Sequence, residues 1–359
     1  MPPPGSEESA PVPGAAPASR RRRPSMADVA TVAGVSAQTV SRVSNGRENV
    51  DPQTRERVRE AMAALGYRAN SAARSLATGS FRSIGVIAST LTTFGAQQAL
   101  DGVADEARRL GYDVMLMPLK APSPEEISGA ADVMSGRHNV DAIVVCVESG
   151  VVESLFGGLH VDVPIVVTDG GARHPRFTTV DSDPEPGLRA ALTHLISGGH
   201  TRIWHAGGPP DSHSAIHRRQ IWEQVLREHG LPAQTCLLTN WSSESGHAAG
   251  LLVGAATPRP TAVVCANDQT ALGLVRALTD LGVRVPDDVS VVGFDDVEAA
   301  RFSVPRLSTV RHDIQEVGRR AVRTLIQELS PGTEVGPLGL VPSVFVDRES
   351  TAPLTGPNL

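Results

Sequence analysis

The chain has 359 residues, 40% of them hydrophobic and 20% charged, with a formal net charge of −6; that length predicts a small module joined to a larger, two-lobed one, each with its own core. No run is apolar and long enough to span a bilayer, and the three scattered cysteines, Cys146, Cys236 and Cys265, argue against disulfides or a metal site and for a reducing cytoplasm. Arg20 to Arg82 carries twelve Arg against five acids, while Ser83 to Leu359 holds 21 of the 33 basic and 32 of the 39 acidic residues, Glu7 and Glu8 being the other two acids. A basic end on an acidic chain predicts a polyanion partner for that end, with an ordinary solvated bias as the alternative.

Residues 1–24 are expected to be a disordered, basic leader. Met1 to Ser19 is rich in Pro, Ala, Ser and Gly without the apolar centre of a secretory signal, and Arg20 to Arg23 reads as a phosphate-touching arm or a solvated tail. Ser25 with Asp28 makes a capping-box-like start to a helix through Ala33, which Gly34 stops. Val35 fills the corner, Ser36 caps a second helix from Ala37 to about Asn45, and Asn45-Gly46 ends it. Asp51-Pro52 opens a third helix with Val58, Met62 and Leu65 on one face until Gly66. With Val29, Ala33, Val35, Val40 and Val43 these residues close a small core.

Two short helices around a tight corner, followed by a third, predict a helix-turn-helix over residues 25–69, a three-helix interaction module being the alternative. In such a motif the second helix enters the major groove amino-terminus first. Ala37, Gln38 and Arg42 would then meet base edges, Gln pairing with adenine and Arg with guanine, while the hydroxyls of Ser36, Thr39 and Ser41 would meet phosphates.

From Ser83 onward, apolar runs alternate with helical patterns. Ile84 to Ala88, Val114 to Met117, Ala142 to Val147 and Ile165 to Val167 form one series, and Ile203 to Ala206, Ala262 to Ala266 and Ser290 to Phe294 another, with helical stretches such as Leu188 to Ile196, Ala271 to Leu281 and Val317 to Leu329. The fold class predicted is α/β, two doubly wound parallel sheets facing a cleft beyond their carboxyl edges. Asp169, Asn267 and Asp295 end strands there, as planar groups with several hydrogen-bonding positions. Helix capping is the competing role for Asp295, and Asp268 and Asp296 are read as structural.

No Gly-x-Ser-x-Gly elbow, HExxH helix or Walker lysine is found, Lys120 being the only lysine, so no catalytic residue is expected. No cofactor or metal is expected either: Asp181 to Glu185 carries prolines unsuited to a calcium loop, and His194, His200, His205, His213 and His217 lack ligand spacing. A transport-type sugar-binding protein is the second class considered; the basic module and the missing signal speak against it.

Met26-Ala-Asp-Val-Ala-Thr-Val-Ala-Gly-Val-Ser-Ala-Gln-Thr-Val-Ser-Arg-Val-Ser-Asn-Gly46, then Asn70-Ser-Ala-Ala-Arg-Ser-Leu-Ala77, Ala266-Asn-Asp-Gln-Thr-Ala-Leu-Gly273, Val289-Ser-Val-Val-Gly-Phe-Asp-Asp296 and Leu307-Ser-Thr-Val-Arg311 resemble the LacI/GalR repressor family. The resemblance implies a repressor that binds a palindromic operator as a homodimer, without membrane attachment, its grip modulated by a small sugar effector. It implies a hinge and linker over 70–82, with Asn70, Ala73 and Leu76 at the DNA and Leu76 wedged into a minor-groove step. The alternative is a plain linker, and Ala69 stands where a proline usually precedes the asparagine. It also implies a periplasmic-binding-protein-like core over 83–359, one lobe from about 83–181 and 313–340 and the other from about 182–312 and 341–352.

By family position Arg218 contacts the sugar, Trp241 stacks on it and Ile314 lines the pocket, with loop packing as the competing role for Trp241. The resemblance implies that Asp169, Asn267 and Asp295 meet the vicinal hydroxyls of that sugar. Thr92-Thr-Phe-Gly95 replaces the family's frequent Asn-Pro-Phe run. The stretch from Trp241 to Gly246 resembles the β-galactoside-responsive members, which implies a glycoside or disaccharide rather than a purine. No heptad repeat follows Glu349, so a dimer and not a tetramer is expected.

Overall fold

In the computed structural model, which describes residues 24–44, 49–67, 79–119, 123–137, 139–147, 161–168, 177–232, 234–329 and 340–354, the first three helices begin and end where local chemistry dictates. Helix α1 (Met26–Ala33) opens on a reciprocal cap: Ser25 N donates to Asp28 Oδ2 at 2.7 Å and Asp28 N donates to Ser25 Oγ at 3.3 Å. Gly34 ends it at φ 65°, a left-handed conformation that a Cβ would penalise. Helix α2 (Ala37–Ser44) starts after Ser36, whose Oγ accepts from Thr39 N at 3.1 Å; Asn45-Gly46 lies outside the described residues. Asp51 caps α3 (Pro52–Leu65) by accepting from Thr54 N at 2.9 Å, and Gly66 closes it at φ 61°. Val29, Ala30, Ala33, Val40, Val58 and Ala61 are buried together, with Met26, Val35, Val43, Met62, Leu65 and Tyr67 around them. Each large aliphatic side chain fully buried there contributes about 1.5–3 kcal/mol.

Contacts divide the chain into two units between Gly79 and Ser80. The second unit contains two sheets. Strands β1 (Ser83–Ala88), β2 (Asp113–Pro118), β3 (Ala142–Cys146), β4 (Ile165–Thr168) and β5 (Thr178–Val180) form a parallel sheet in the order β2-β1-β3-β4-β5. The other has seven strands: β6 (Ser182–Asp183), β7 (Ile203–Gly207), β8 (Cys236–Leu238), β9 (Ala262–Cys265), β10 (Ser290–Phe294), β11 (Ser308–His312) and β12 (Val341–Val346), in the order β6-β12-β11-β10-β9-β7-β8. The expected all-parallel pattern has one departure, because β12 runs antiparallel to β11. Its residues alternate from buried Val341 to exposed Pro342 to buried Ser343 to exposed Val344, as on a strand covered on one face, whereas β9 and β10 are buried on both.

Five helices bring their amino-terminal turns to the space between the sheets: α4 (Phe94–Arg109), α7 (His213–Glu228), α8 (Ser243–Ala255), α9 (Asp268–Asp280) and α11 (Ile314–Glu328). The other α-helices among the unit's described residues are α5 (Pro124–Asp132), which runs on into a π-helical turn at Val133–Arg137, α6 (Glu185–Ser197) and α10 (Glu298–Phe302). Helices α4 and α11 cross on glycine: a Cβ at Gly102 would lie 2.1 Å from the Gln315 carbonyl oxygen, and one at Gly318 2.2 Å from that of Ala99. Helices α8 and α9 repeat the device, with a Cβ at Gly246 falling 2.2 Å from the Thr270 oxygen and one at Gly273 1.9 Å from that of Ser243. Backbone thus meets backbone at both crossings, and side chains cannot separate the partners. The chain passes between the sheets at Asp181 and at Asp313, so α11 packs in the first core, its Val317, Ala321, Val322 and Leu325 lying with Ile84, Val86 and Val144.

Candidate functional site

On α2 the fully buried Val40 fixes the rotation of the helix, and the 3.6-residue period then turns Ala37, Gln38 and Arg42 outward. All three are exposed, as is Ser36, while Thr39 and Ser41 are half-buried. Ser36 spends its oxygen on the cap and stands 2.9 Å from Thr39 Oγ1. What α2 presents is an amide able to meet adenine on two atoms and a guanidinium able to meet guanine on two. Asn70, Ala73 and Leu76 lie outside the described residues.

Between the two sheets lies a cavity of about 320 Å³, within the size range of small-molecule sites. Phe94 and Ile314 line it from α4 and α11, and Phe94 also packs against a core cluster of the second sheet. Arg218, Trp241, Asn267 and Asp295 line the other side; Asp169 lies outside the described residues.

Arg218 is buried on α7 with its guanidinium carbon 3.7 Å from the Phe294 ring centroid and 5.5 Å from that of Trp241. One terminal nitrogen donates to the Ala266 carbonyl at 2.5 Å, and Nε has no partner among the described residues. A guanidinium held between aromatic rings keeps both its charge and spare donors for a ligand. Trp241 adopts φ 70°, its ring filling space that a Cβ at Gly208 would occupy, 2.5 Å from the indole. It therefore packs against the loop as well as facing the cavity.

Asn267 is the N-cap of α9: Oδ1 accepts from Thr270 N at 2.9 Å, and Nδ2 donates to the Trp241 carbonyl at 2.9 Å and to Gln269 Oε1 at 3.0 Å. Its amide positions the indole loop. Asp295 caps no helix, since Val297 precedes α10 without a side-chain cap bond. Instead its Oδ1 accepts from His312 Nε2 at 3.0 Å, and its backbone is held at φ 113° beside Asp296 at φ 55°. Such strain in two consecutive non-glycine residues costs of order 1–3 kcal/mol each and persists where surrounding contacts impose it.

Those contacts come from the neighbouring acids. Asp268 is fully buried, accepting from Thr309 Oγ1 at 2.6 Å and from Val297 N at 2.9 Å; burial, reinforced by the charge of Asp295, pushes its carboxyl up to about 8. Asp296 is ringed by Arg348, by Arg301 at 3.2 Å and by Arg311 at 3.8 Å. On β7 the buried His205 donates through Nδ1 to the Val264 carbonyl at 2.8 Å and stacks on Trp222, and burial pushes its pKa down to about 4.

His312 and Ser182 also line the cavity, and neither stood out in the sequence. Their strands, β11 and β6, are short and polar; the usable signal was His312 immediately before Asp313, the cap that turns strand into helix. Among the described residues no cluster of His, Cys, Asp and Glu is suited to a metal, and no helix is long and apolar enough to cross a membrane.

Residues 25–70 match the model of bacterial regulatory proteins of the lacI family, and residues 192–351 match a periplasmic binding protein-like domain. The chain is 34% identical over 340 residues to the lactose operon repressor of Escherichia coli (strain K12), covering 90% of this chain and 89% of that protein. It is 31% identical over 306 residues to the HTH-type transcriptional repressor PurR of Vibrio atlanticus (strain LGP32), covering 84% of this chain and 91% of the relative. Among solved structures, the lac repressor dimer bound to operator and the anti-inducer ONPF superposes with a TM-score of 0.83 at 32% identity, over 92% of this chain and all of that one. A complex of the transcriptional regulator CelR with cellobiose gives 0.67 at 28% identity, over 91% of this chain.

Proposed function

This chain belongs to the lacI family of bacterial regulatory proteins, DNA-binding transcriptional repressors, and from that premise we propose that it binds a palindromic operator as a homodimer in the cytoplasm and that a small sugar in the cleft sets its grip. The observation that carries the reading is the pairing, in one chain, of an outward Gln38 and Arg42 on α2 with a buried Arg218 held between Phe294 and Trp241. The first pair suits base edges. The second suits hydroxyls beside an aromatic face.

In this reading residues 25–69 read the major groove and 70–82 form the hinge, with Asn70, Ala73 and Leu76 at the minor groove. The core over 83–359 closes around the effector, one lobe from about 83–181 and 313–340 and the other from about 182–312 and 341–352. Phe302 and Val304, 76% and 91% exposed, give it an apolar edge suited to a second copy. The mixture of carboxylate, amide and guanidinium in the cavity supports a sugar over a purine, because each can meet a pair of vicinal hydroxyls. Sugar and operator affinities must then be coupled, and the coupling is reciprocal.

The test is selection of genomic fragments by the purified chain, followed by anisotropy titration of the selected duplex with and without sugars. A sequence-selective, salt-dependent complex whose affinity changes with a mono- or disaccharide is expected. Affinity indifferent to every sugar would overturn the effector half, and Gln38→Ala with Arg42→Ala leaving selectivity intact would overturn the DNA half.

A further inference from the structure

One chain of hydrogen bonds borders the cavity and has no role in holding the helices together. Ser182 Oγ lies 3.0 Å from His312 Nδ1, and His312 Nε2 lies 3.0 Å from Asp295 Oδ1. All three residues line the cavity, with the His312 and Asp295 side chains 4% and 8% exposed. The imidazole cannot swing away: Phe294 meets it edge-on, centroids 4.7 Å apart at 72°, and Phe294 is itself fully buried under the Arg218 guanidinium.

We propose that His312 is a positioning residue that turns this wall of the cleft into a pair of pure hydrogen-bond acceptors, and so restricts the effector to a neutral polyol, excluding sugar acids and sugar phosphates at that end. The inference rests on the carbohydrate reading above and narrows it. An ionised carboxylate only accepts, so Nε2 carries the hydrogen that Asp295 Oδ1 receives. In the proposed relay the ring is neutral, the state that the tautomer measurement decides: Nδ1 then offers a lone pair, and the single hydroxyl hydrogen of Ser182 goes there. With that hydrogen committed, Ser182 Oγ can only accept from a ligand. Asp295 is left with Oδ2, which likewise only accepts.

Opposite chemistry sits on the far face of Phe294's neighbourhood, where Arg218 supplies donors and no acceptor. A ligand with adjacent hydroxyls satisfies both: its hydrogens go to Ser182 and Asp295, and its oxygens accept from Arg218. A carboxylate or phosphate set against Asp295 brings lone pairs to lone pairs and charge to like charge beside a side chain that is itself only 8% exposed.

Two measurements on the full chain test this. Long-range proton–nitrogen correlation of labelled histidine, assigned by comparison with His312→Gln, should find His312 neutral with hydrogen on Nε2; hydrogen on Nδ1, or on both nitrogens, overturns the relay. Calorimetry with matched pairs, cellobiose against cellobionate and galactose against galacturonate, should favour the neutral member at least about tenfold, equivalent to about 1.4 kcal/mol. Equal or tighter binding of the acid overturns the proposal.

His312→Leu should weaken the neutral sugar by about tenfold. His312→Gln should restore it, because the amide nitrogen can donate to Asp295 while its oxygen accepts from Ser182. A loss as large for Gln as for Leu would mean that the ring only fills space, and Ser182→Ala, which leaves the buried ring in place, separates a folding defect from loss of the acceptor. If the unaltered chain binds no neutral sugar while still selecting DNA, the carbohydrate reading has failed and takes the ligand restriction with it; the tautomer result still decides the relay by itself.

Discussion

Helix α2 and the cleft wall hold their ligand-facing groups in opposite ways. On α2 a single buried residue, Val40, sets the rotation, and Ala37, Gln38 and Arg42 stand in solvent around it. In the cleft Arg218, Asn267, Asp295 and His312 are at most 9% exposed, and each is already bonded to the protein: Arg218 to Ala266, Asn267 to Thr270, Asp295 to His312. The difference separates two costs. An exposed reader can be exchanged with little change in stability, so its substitution changes what is read. A buried group cannot be exchanged without redistributing several bonds, so specificity and folding are linked there.

The largest effect expected from that contrast is at Arg218. With Arg218 in the proposed role of sugar contact, Arg218→Met should weaken sugar binding by about 3 kcal/mol, more than a hundredfold, by calorimetry. Its stability should fall as well, because the bond to the Ala266 carbonyl and the guanidinium's contact with the Phe294 ring are lost together. Retained affinity would erase the distinction between the two regions.

Next comes Gly273, where a Cβ would lie 1.9 Å from the Ser243 carbonyl oxygen. Gly273→Ala should cost about 2–3 kcal/mol and lower the core's melting temperature by several degrees, while leaving the helix-turn-helix signals unchanged. Arg42→Ala should cost about 2 kcal/mol of discrimination at one guanine per half-site in a mobility-shift titration, with no change in melting temperature. A fall in stability there would show that α2 carries more of its module's core than Val40.

The smallest effect separates two buried titratable groups. Asp268, ordinarily near 3.8, is pushed up to about 8 in the fold, so between those values the folded chain keeps a proton that the unfolded chain has lost, and stability falls as pH rises. His205, ordinarily near 6.5, is pushed down to about 4, so the stability it contributes is present above 6.5 and is lost as pH falls through 4. The two oppose each other below 6.5, and above it only Asp268 acts. From pH 6.5 to 7.5 the unaltered chain should lose about 1 kcal/mol in denaturant melts. Asp268→Asn, whose amide can donate to Thr309 and accept from Val297, should flatten that slope.

How much of this was legible in the sequence depends on how local each signal is. The caps of α1 and α3, Ser25 with Asp28 and Asp51 with Pro52, act within three residues and could be read directly. So could the central strands, because β9 and β10 are buried on both faces and read as unbroken apolar runs. Strand β12 could not: Pro342 and Ser343 break its pattern, and only its pairing with β11 makes it a strand. In the cleft, Asn267 and Asp295 were visible as polar residues closing apolar runs, yet their partners were not. His312 reaches Asp295 across 17 positions of sequence and Ser182 across 130, distances over which no periodicity operates. Arg218 and Trp241 stood out through family resemblance alone, because a lone arginine on a helix and a lone tryptophan in a loop have no spacing to read.

The glycine crossings of α4 with α11 and of α8 with α9 also bear on how such a regulator can be retuned. Each crossing leaves no slack a turn or two into its helices, whereas the residues lining the cavity, among them Phe94, Ser242, Gln269 and Ile314, sit in or beside the first turns. Selectivity can therefore drift by exchange of those opening residues while the crossings stay fixed, so a chain evolving toward a new small-molecule ligand keeps its scaffold and rewrites only the tips of its helices.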